Sequence, residues 1–202
     1  MKRKEAIEAT RPLRTRRASR GMTVVEILVV VVIVGILALI GVIGYRKFIS
    51  SGKLSEATNM VAKIREAQER RKAETGTYLD VSLGLGAGNY YPAATPGQFS
   101  TQWGGVCSTC KSAWSNLNIS ADEPVRFGYA VVADGVACDP TCKGVSVSIR
   151  GTPIDFVGIA GGKITGPYYI IEAQGQMAAG AAFSTVVGQS FTNELAIDEA
   201  GQ

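Results

Sequence analysis

A chain of 202 residues has room for one modest domain plus an anchor. Its net charge of +4 is unevenly placed: residues 1–21 carry eight Lys or Arg and two Glu, whereas the other 181 residues carry 13 basic and 15 acidic groups. The near-neutral charge of residues 22–202 argues against a nucleic-acid partner. The chain has no histidine, which excludes His-based triads, His general bases and His metal ligands. We therefore predict no catalytic residues, metal or cofactor.

The first predicted element is an apolar helix directly after the basic N-terminal segment 1–21. Residues 21–45 read GMTVVEILVVVVIVGILALIGVIGY, and none of the residues from Ile27 to Gly44 is charged or strongly polar. As a helix, this run reaches about 27 Å, close to the roughly 30 Å of a hydrocarbon core. The basic residues before this helix predict that the N-terminal segment lies in the cytoplasm and that the chain after the helix lies outside it.

The next predicted element is an amphipathic helix that ends at Gly76. Apolar or small residues recur every three or four positions, and charged residues occupy the other faces. The predicted buried stripe consists of Leu54, Ala57, Val61, Ile64 and Ala67.

After Gly76, glycine-rich turns alternate with short apolar runs that predict strands. The predicted strands are 125–133, 144–150, 168–173, 182–187 and 191–197. Strict alternation in two of them predicts a sheet with one buried face, which the helical stripe is expected to cover.

The peptide Arg20-Gly21-Met22-Thr23-Val24-Val25-Glu26, followed by about twenty apolar residues, resembles the class III signal of type IV prepilins and pseudopilins. In that family a peptidase cuts after the glycine, the new N-terminus is N-methylated, and a glutamate stands at the fifth mature position. The resemblance implies cleavage between Gly21 and Met22, methylation of Met22 and an assembly role for Glu26.

Further residues support the resemblance, and some depart from it. Residues 35–38, Tyr45 and the triplet Gly76-Thr77-Tyr78 are similar to the family's helix and its end. Met22 replaces the usual Phe, and Ile43 replaces a usual Pro. The flanking glycines Gly41 and Gly44 would then govern any local loss of helix in a filament.

Sequence and resemblance together predict an α+β pilin fold, with a long N-terminal helix packed on a C-terminal antiparallel sheet. The expected segments are a cleaved basic leader (1–21), a transmembrane and filament-core helix (22–45), an amphipathic helix packed on the head (46–76) and a β-rich head with cysteine-containing loops (77–202).

Glu26 has two interpretations. A carboxylate in a bilayer segment costs about 2.5–3.5 kcal/mol on insertion scales, so it could simply lie near the headgroups. We favour a role as partner for the positive amine of Met22 in a neighbouring subunit, because a buried charge needs an opposite charge.

The four cysteines are Cys107, Cys110, Cys138 and Cys142. Their position after the apolar segment favours disulfides outside the cytoplasm, either between the two pairs or within each pair. Zinc binding by all four and redox chemistry at Cys107 and Cys110 are the alternatives.

The predicted function is a structural subunit of a type IV pilus-like filament, major or minor. Its implied partners are copies of itself or other pilins, the prepilin peptidase and N-methyltransferase, a pilus or type II secretion assembly platform, and inner-membrane lipid before assembly. A bacterial inner-membrane protein with an outside head, later in an extracellular pilus or periplasmic pseudopilus, is expected. The alternatives are a type II secretion pseudopilin, a membrane-anchored DNA-binding or adhesive module, and a thiol oxidoreductase.

Overall fold

The computed structural model describes residues 21–104, 108–134, 147–149, 152–156 and 166–198. They divide into two compact units, one up to Gly44 and one from Tyr45 onward. The elements in chain order are α1 (Val24–Thr75), α2 (Ser108–Asn116), β1 (Gly128–Asp134), β2 (Ser148–Ile149), β3 (Thr152–Pro153), β4 (Tyr168–Gln176), β5 (Phe183–Gln189) and β6 (Ala196–Asp198).

Helix α1 ends where the sequence predicts. Gly76 has φ +82°, a backbone conformation that strains any side-chain-bearing residue, and its N–H donates to Lys72 O at 2.8 Å. The Tyr78 hydroxyl then donates to Glu69 Oε1 at 2.9 Å and accepts from Lys72 Nζ at 3.0 Å. Burial is the main cause that raises the pKa of the Tyr78 hydroxyl, and the hydrogen bond to Glu69 raises it further. The chain therefore turns back onto α1 immediately after the helix stops.

The sheet is antiparallel with the strand order β1-β4-β5-β6. The β1–β4 ladder runs from Gly128↔Gln174 to Asp134↔Tyr168, and the β4–β5 ladder from Ile170↔Gln189 to Gln176↔Phe183. β6 pairs with β5, and β2 pairs with β3 in a separate two-stranded sheet. The α+β fold class predicted from sequence is confirmed.

One face of the sheet packs on α1, and this packing forms the main core. Leu54, Ala57, Val61, Ile64 and Ala67 are all buried there, as predicted. Further residues join the same cluster from helix and sheet: Met60, Tyr129, Val131, Ala133, Tyr169, Ile171, Ala173 and Val186. The sheet approaches α1 closely at Gly188, where an added Cβ would lie 2.7 Å from Val61 Cγ1.

The opposite face of the sheet is also buried, so the prediction of a single buried face is wrong. Its apolar cluster consists of Val147, Phe156, Tyr168, Ile170 and Val187, with Leu85, Ile154, Phe191 and Ala196 packed against it. Segments outside the sheet supply much of this cover. The alternating sequence did not predict this second buried face, because some of its buried residues are small, such as Ala130, and small residues do not mark a face as apolar core.

Several predicted strand bounds need correction. β1 starts at Gly128, and Val125 instead forms an isolated bridge with Thr101. In the predicted 144–150 strand only 147–149 are described, and β2 joins β3 rather than the larger sheet. The predicted 191–197 strand is wrong over 191–195, which are irregular, and β6 starts only at Ala196. In the irregular part the Arg65 guanidinium donates to the carbonyl oxygens of Thr192 (3.1 Å) and Asn193 (3.0 Å).

Helix α2 was not predicted. Its Trp114 is fully buried and stacks on Tyr91 at a centroid distance of 5.7 Å. Trp103 meets both rings edge-on, at 4.9 Å from Tyr91 and 5.4 Å from Trp114. This aromatic cluster packs α2 against the loop between α1 and α2. Tyr91 and Trp114 belong to the main core, and Trp103 packs against it.

Candidate functional site

The candidate site lies at the start of α1. Gly21, Met22 and Thr23 are exposed and precede the first helical residue, Val24. An exposed, non-helical peptide bond between Gly21 and Met22 suits a protease, because a protease needs access to the backbone that a helix would deny.

Thr23 and Glu26 form a capping box. The Glu26 N–H donates to Thr23 Oγ1 at 3.2 Å, and the Thr23 N–H donates to a Glu26 carboxylate oxygen at a long 3.5 Å. The two side chains satisfy backbone donors that the first helical turn leaves free, and the carboxylate complements the positive end of the helix dipole. The Thr-x-x-Glu spacing was visible in the sequence, but sequence reasoning assigned Glu26 only an assembly role.

Glu26 and Met22 are therefore held near one another at one helix end. In the uncut chain Met22 is bonded to Gly21, so its nitrogen is a neutral amide. Only cleavage of that bond creates a positive amine beside the carboxylate. The arrangement can then offer one charge of each sign at the tip of the helix.

The helix behind this tip is apolar on every side. From Met22 to Phe48 its large apolar side chains are 47–80% exposed. α1 contains an 18-residue window long and apolar enough to cross a membrane, and none of that window is buried. So large an apolar surface requires lipid or other protein around it.

The helix stays intact where the family's usual proline is missing. α1 is continuous through Ile43, and Cβ atoms added at Gly41 and Gly44 would meet no atom within 4 Å. Among the described residues, no close contact therefore requires glycine at these two positions.

The cysteine predictions are left untested by the structure. Cys107, Cys138 and Cys142 lie outside the described residues, and of Cys110 only the backbone, in α2, is described. Disulfide, zinc and redox interpretations remain predictions. Over the described ranges, no group of three or more His, Cys, Asp or Glu could hold a metal ion.

Two buried polar side chains were missed by sequence reasoning. Gln68 on α1 is fully buried, and its amide both donates to Leu79 O (2.7 Å) and accepts from Leu79 N (2.9 Å). Glu172 is 4% exposed on β4. The available signal for Glu172 was an acid inside an apolar strand, Tyr-Tyr-Ile-Ile-Glu-Ala.

Comparison with known proteins bears on the N-terminal segment. Residues 16–42 match the family model described as the prokaryotic N-terminal methylation motif. No curated protein and no solved structure matches the chain. The matched segment contains Gly21, Met22 and Glu26 and ends within the apolar helix.

Proposed function

Because residues 16–42 carry the N-terminal methylation motif, the class III signal peptide of type IV pilins and pseudopilins, we propose that this chain is a structural subunit of a type IV pilus-like filament. The observation that carries the proposal is the conjunction of this motif with an apolar helical segment of which no residue is buried. The motif supports a substrate of prepilin peptidase and indicates a structural subunit rather than an enzyme.

The first step is processing. Hydrolysis of the peptide bond between Gly21 and Met22 removes the basic leader 1–21 and leaves Met22 with a free amine, which is then N-methylated. The exposed, non-helical backbone at residues 21–23 supports access by the peptidase. The mature chain then begins directly at the capping box of α1.

The second step is docking. In the filament, the Glu26 carboxylate of an incoming copy pairs with the methylated amine of Met22 in its neighbour. A lone carboxylate in hydrocarbon is costly, and pairing with a cation offsets that cost. The capping box supports this role because it fixes the carboxylate at the helix tip rather than along the apolar flank.

The third step is burial of the apolar helix. Before assembly, segment 22–45 lies in the inner membrane with the basic leader in the cytoplasm and the head outside. The signal motif and the apolar helix fit membrane anchoring. During assembly, neighbouring copies replace lipid around the helix. The amphipathic helix (46–76) and the head (77–202) then form the outer layer of the filament.

A Glu26→Ala substitution tests the docking step. We expect the variant to insert in the membrane and to be processed at Met22, but to be lost from filaments because the Met22 amine has no partner. Immunoblots of membrane and sheared-filament fractions would measure both properties. Glu66→Ala, which removes an exposed glutamate from the other half of α1, is the matched control and should assemble normally. Normal filament incorporation of Glu26→Ala would contradict the docking role.

The second candidate function is a type II secretion pseudopilin, because the matched motif is shared by pilins and pseudopilins. Its processing and docking steps would be the same, and its filament would stay in the periplasm. The protein composition of sheared surface filaments separates a major pilin from the other possibilities. A dominant band indicates a major pilin, whereas absence indicates a minor subunit or a pseudopilin.

A further inference from the structure

Glu172 is a buried carboxylate that the proposed assembly does not use. It lies on β4, between Ala130 of β1 and Val187 of β5, on the face of the sheet opposite α1. Its side chain is 4% exposed. Within the described residues no Lys or Arg side chain forms an ion pair with it, so its charge is not neutralised by a cation there.

The partners of Glu172 come from the loop between α1 and α2. The Gly86 N–H donates to Glu172 Oε2 at 2.8 Å, and the Tyr90 hydroxyl faces the same carboxylate. Gly86 has φ +88° and Gly88 has φ +92°, backbone conformations that favour glycine. This glycine-rich loop can therefore turn its backbone N–H toward the sheet.

The two ends of this loop are tied to the edge of β1. On one side, Val131 O accepts from Ser82 N at 2.9 Å and Val131 N donates to Ser82 Oγ at 3.1 Å. On the other side, Tyr91 and Tyr129 exchange both backbone hydrogen bonds, at 2.9 and 2.8 Å. Residues 83–90, which we call the latch loop, thus lie between two segments that are hydrogen-bonded to β1. In the middle of the loop, the Gly86 N–H is bound by the Glu172 carboxylate.

Burial raises the pKa of Glu172, and the contacts from Tyr90 and the Gly86 N–H oppose that rise without cancelling it. Three other titratable groups lie on this face or beside it among the described residues. Tyr168 lies four residues away on β4, Asp198 lies on β6 across β5, and Asp155 on the neighbouring segment is exposed. Tyr90 is the titratable group that faces Glu172 from the loop.

We propose that Glu172 and the latch loop form a pH-dependent latch, in which the loop lies against the sheet when the carboxylate is neutral and detaches more readily when the carboxylate is ionised. When the loop detaches, water reaches the carboxylate and its charge no longer has to be buried. The ionised form therefore favours the detached loop, and the neutral form favours the closed loop.

The sign of the pH dependence follows from linkage. The closed state has the raised pKa, and the detached state has a pKa near the ordinary 4.5. The closed state therefore binds the proton more tightly, and its stability is fully present below the ordinary pKa. That stability is lost as the pH rises through the pKa of the closed state.

Detachment is local because the β1 hydrogen bonds at Ser82 and Tyr91 do not depend on Glu172. It would free Leu85, which packs in the second apolar cluster, and uncover part of that face of the sheet. Leu83, already fully exposed on the same loop, would move with it. The latch thus couples pH to the apolar surface that the head displays.

Hydrogen–deuterium exchange of the full chain in detergent tests the latch. After correction for intrinsic exchange rates, we expect protection of the 83–90 amides to fall as the pH rises from about 4.5 to about 8. Glu172→Gln should keep the acceptor oxygen and abolish this pH dependence. Glu66→Gln, at an exposed site on α1, should behave as the wild type.

Tyr90→Phe provides an independent check. The Tyr90 contact lowers the pKa of Glu172, so its removal should shift the loss of protection to higher pH. Constant protection of the loop in the wild type would overturn the latch. So would an unchanged pH dependence in Glu172→Gln, or a shift to lower pH in Tyr90→Phe.

Discussion

A close approach between α1 and β5 at Gly188 gives a sharp test of the helix-on-sheet packing. Gly188 of β5 has no side chain, and a Cβ placed there would lie 2.7 Å from Val61 Cγ1, 3.4 Å from Leu195 Cδ2 and 3.6 Å from Arg65 Cδ. Carbon atoms pack at about 3.5–4.0 Å, so Gly188→Ala forces Val61 or the helix to move by about 1 Å. Val61 is fully buried and cannot turn into solvent.

The expected cost combines two opposing effects. Overpacking a core typically costs about 1–3 kcal/mol. Replacing Gly by Ala also lowers the conformational entropy of the unfolded chain, which stabilises the folded state by about 0.4–1 kcal/mol. We therefore expect Gly188→Ala to lower the free energy of unfolding by about 1–2 kcal/mol. For a unit of this size that corresponds to a Tm lower by about 2–8 °C.

A second substitution separates the steric clash from other causes. Val61→Ala alone should cost about 1.5–3 kcal/mol, because it removes two buried methyl groups and leaves a cavity. In the double variant the new methyl group at position 188 enters the space that Val61 vacates. The double variant should therefore be about as stable as Val61→Ala alone, a coupling of about 1–2 kcal/mol.

Urea unfolding followed by tryptophan fluorescence is a suitable assay, since both tryptophans, Trp103 and Trp114, lie outside the membrane segment. Gly97→Ala is the matched control, because a Cβ there would meet no atom within 4 Å. Additive losses in the double variant would refute the contact between Gly188 and Val61. Equal effects of Gly97→Ala and Gly188→Ala would refute it as well.

Three further predictions concern the stability of the same unit. Gln68→Ala should cost about 1–3 kcal/mol in urea unfolding, because it removes both hydrogen bonds to Leu79; wild-type stability would contradict this. Gly76→Ala should destabilise by about 1–2 kcal/mol because of its positive φ, whereas Gly52→Ala within α1 should stabilise by up to about 1 kcal/mol; thermal unfolding that shows the same sign for both would contradict the helix end. The unfolding midpoint of Glu172→Gln, relative to wild type, should rise with pH, because only the wild type loses stability through its raised pKa; a parallel pH profile would contradict this.

The helical part of the fold could be predicted because its periodicity is long and regular. The stripe from Leu54 to Ala67 recurs over four turns, and Gly76 supplies a clear stop. β4 and β5 could be located for a related reason, since their apolar runs lie between evident turn residues.

The parts that failed depend on contacts between distant residues. Residues 191–195 look like a strand, but they are irregular, and Arg65, more than 120 positions earlier, donates to the carbonyl oxygens of Thr192 and Asn193. Helix α2 has a polar sequence with weak helical preference, and burial of Trp114 against Tyr91 stabilises it. Such long-range contacts leave no local pattern.

The motif residues of the candidate site could be predicted, but the contacts of their side chains were not. Gly21, Met22 and Glu26 were predicted by resemblance to a family motif, and all three lie within the matched residues 16–42; their roles stay predictions. The capping role of Thr23 was accessible from spacing but was overlooked. The partners of Glu172 could not be predicted, because Gly86 and Tyr90 meet it only through the folded path of the loop.

The mass of the mature chain tests the central claim most directly. The chain would be expressed with a prepilin peptidase, recovered from membranes and filaments, and measured intact and after proteolysis. We expect a chain of residues 22–202 whose first residue, Met22, carries one added methyl group. A chain that retains residues 1–21, or one cut at any bond other than Gly21–Met22, would contradict the account.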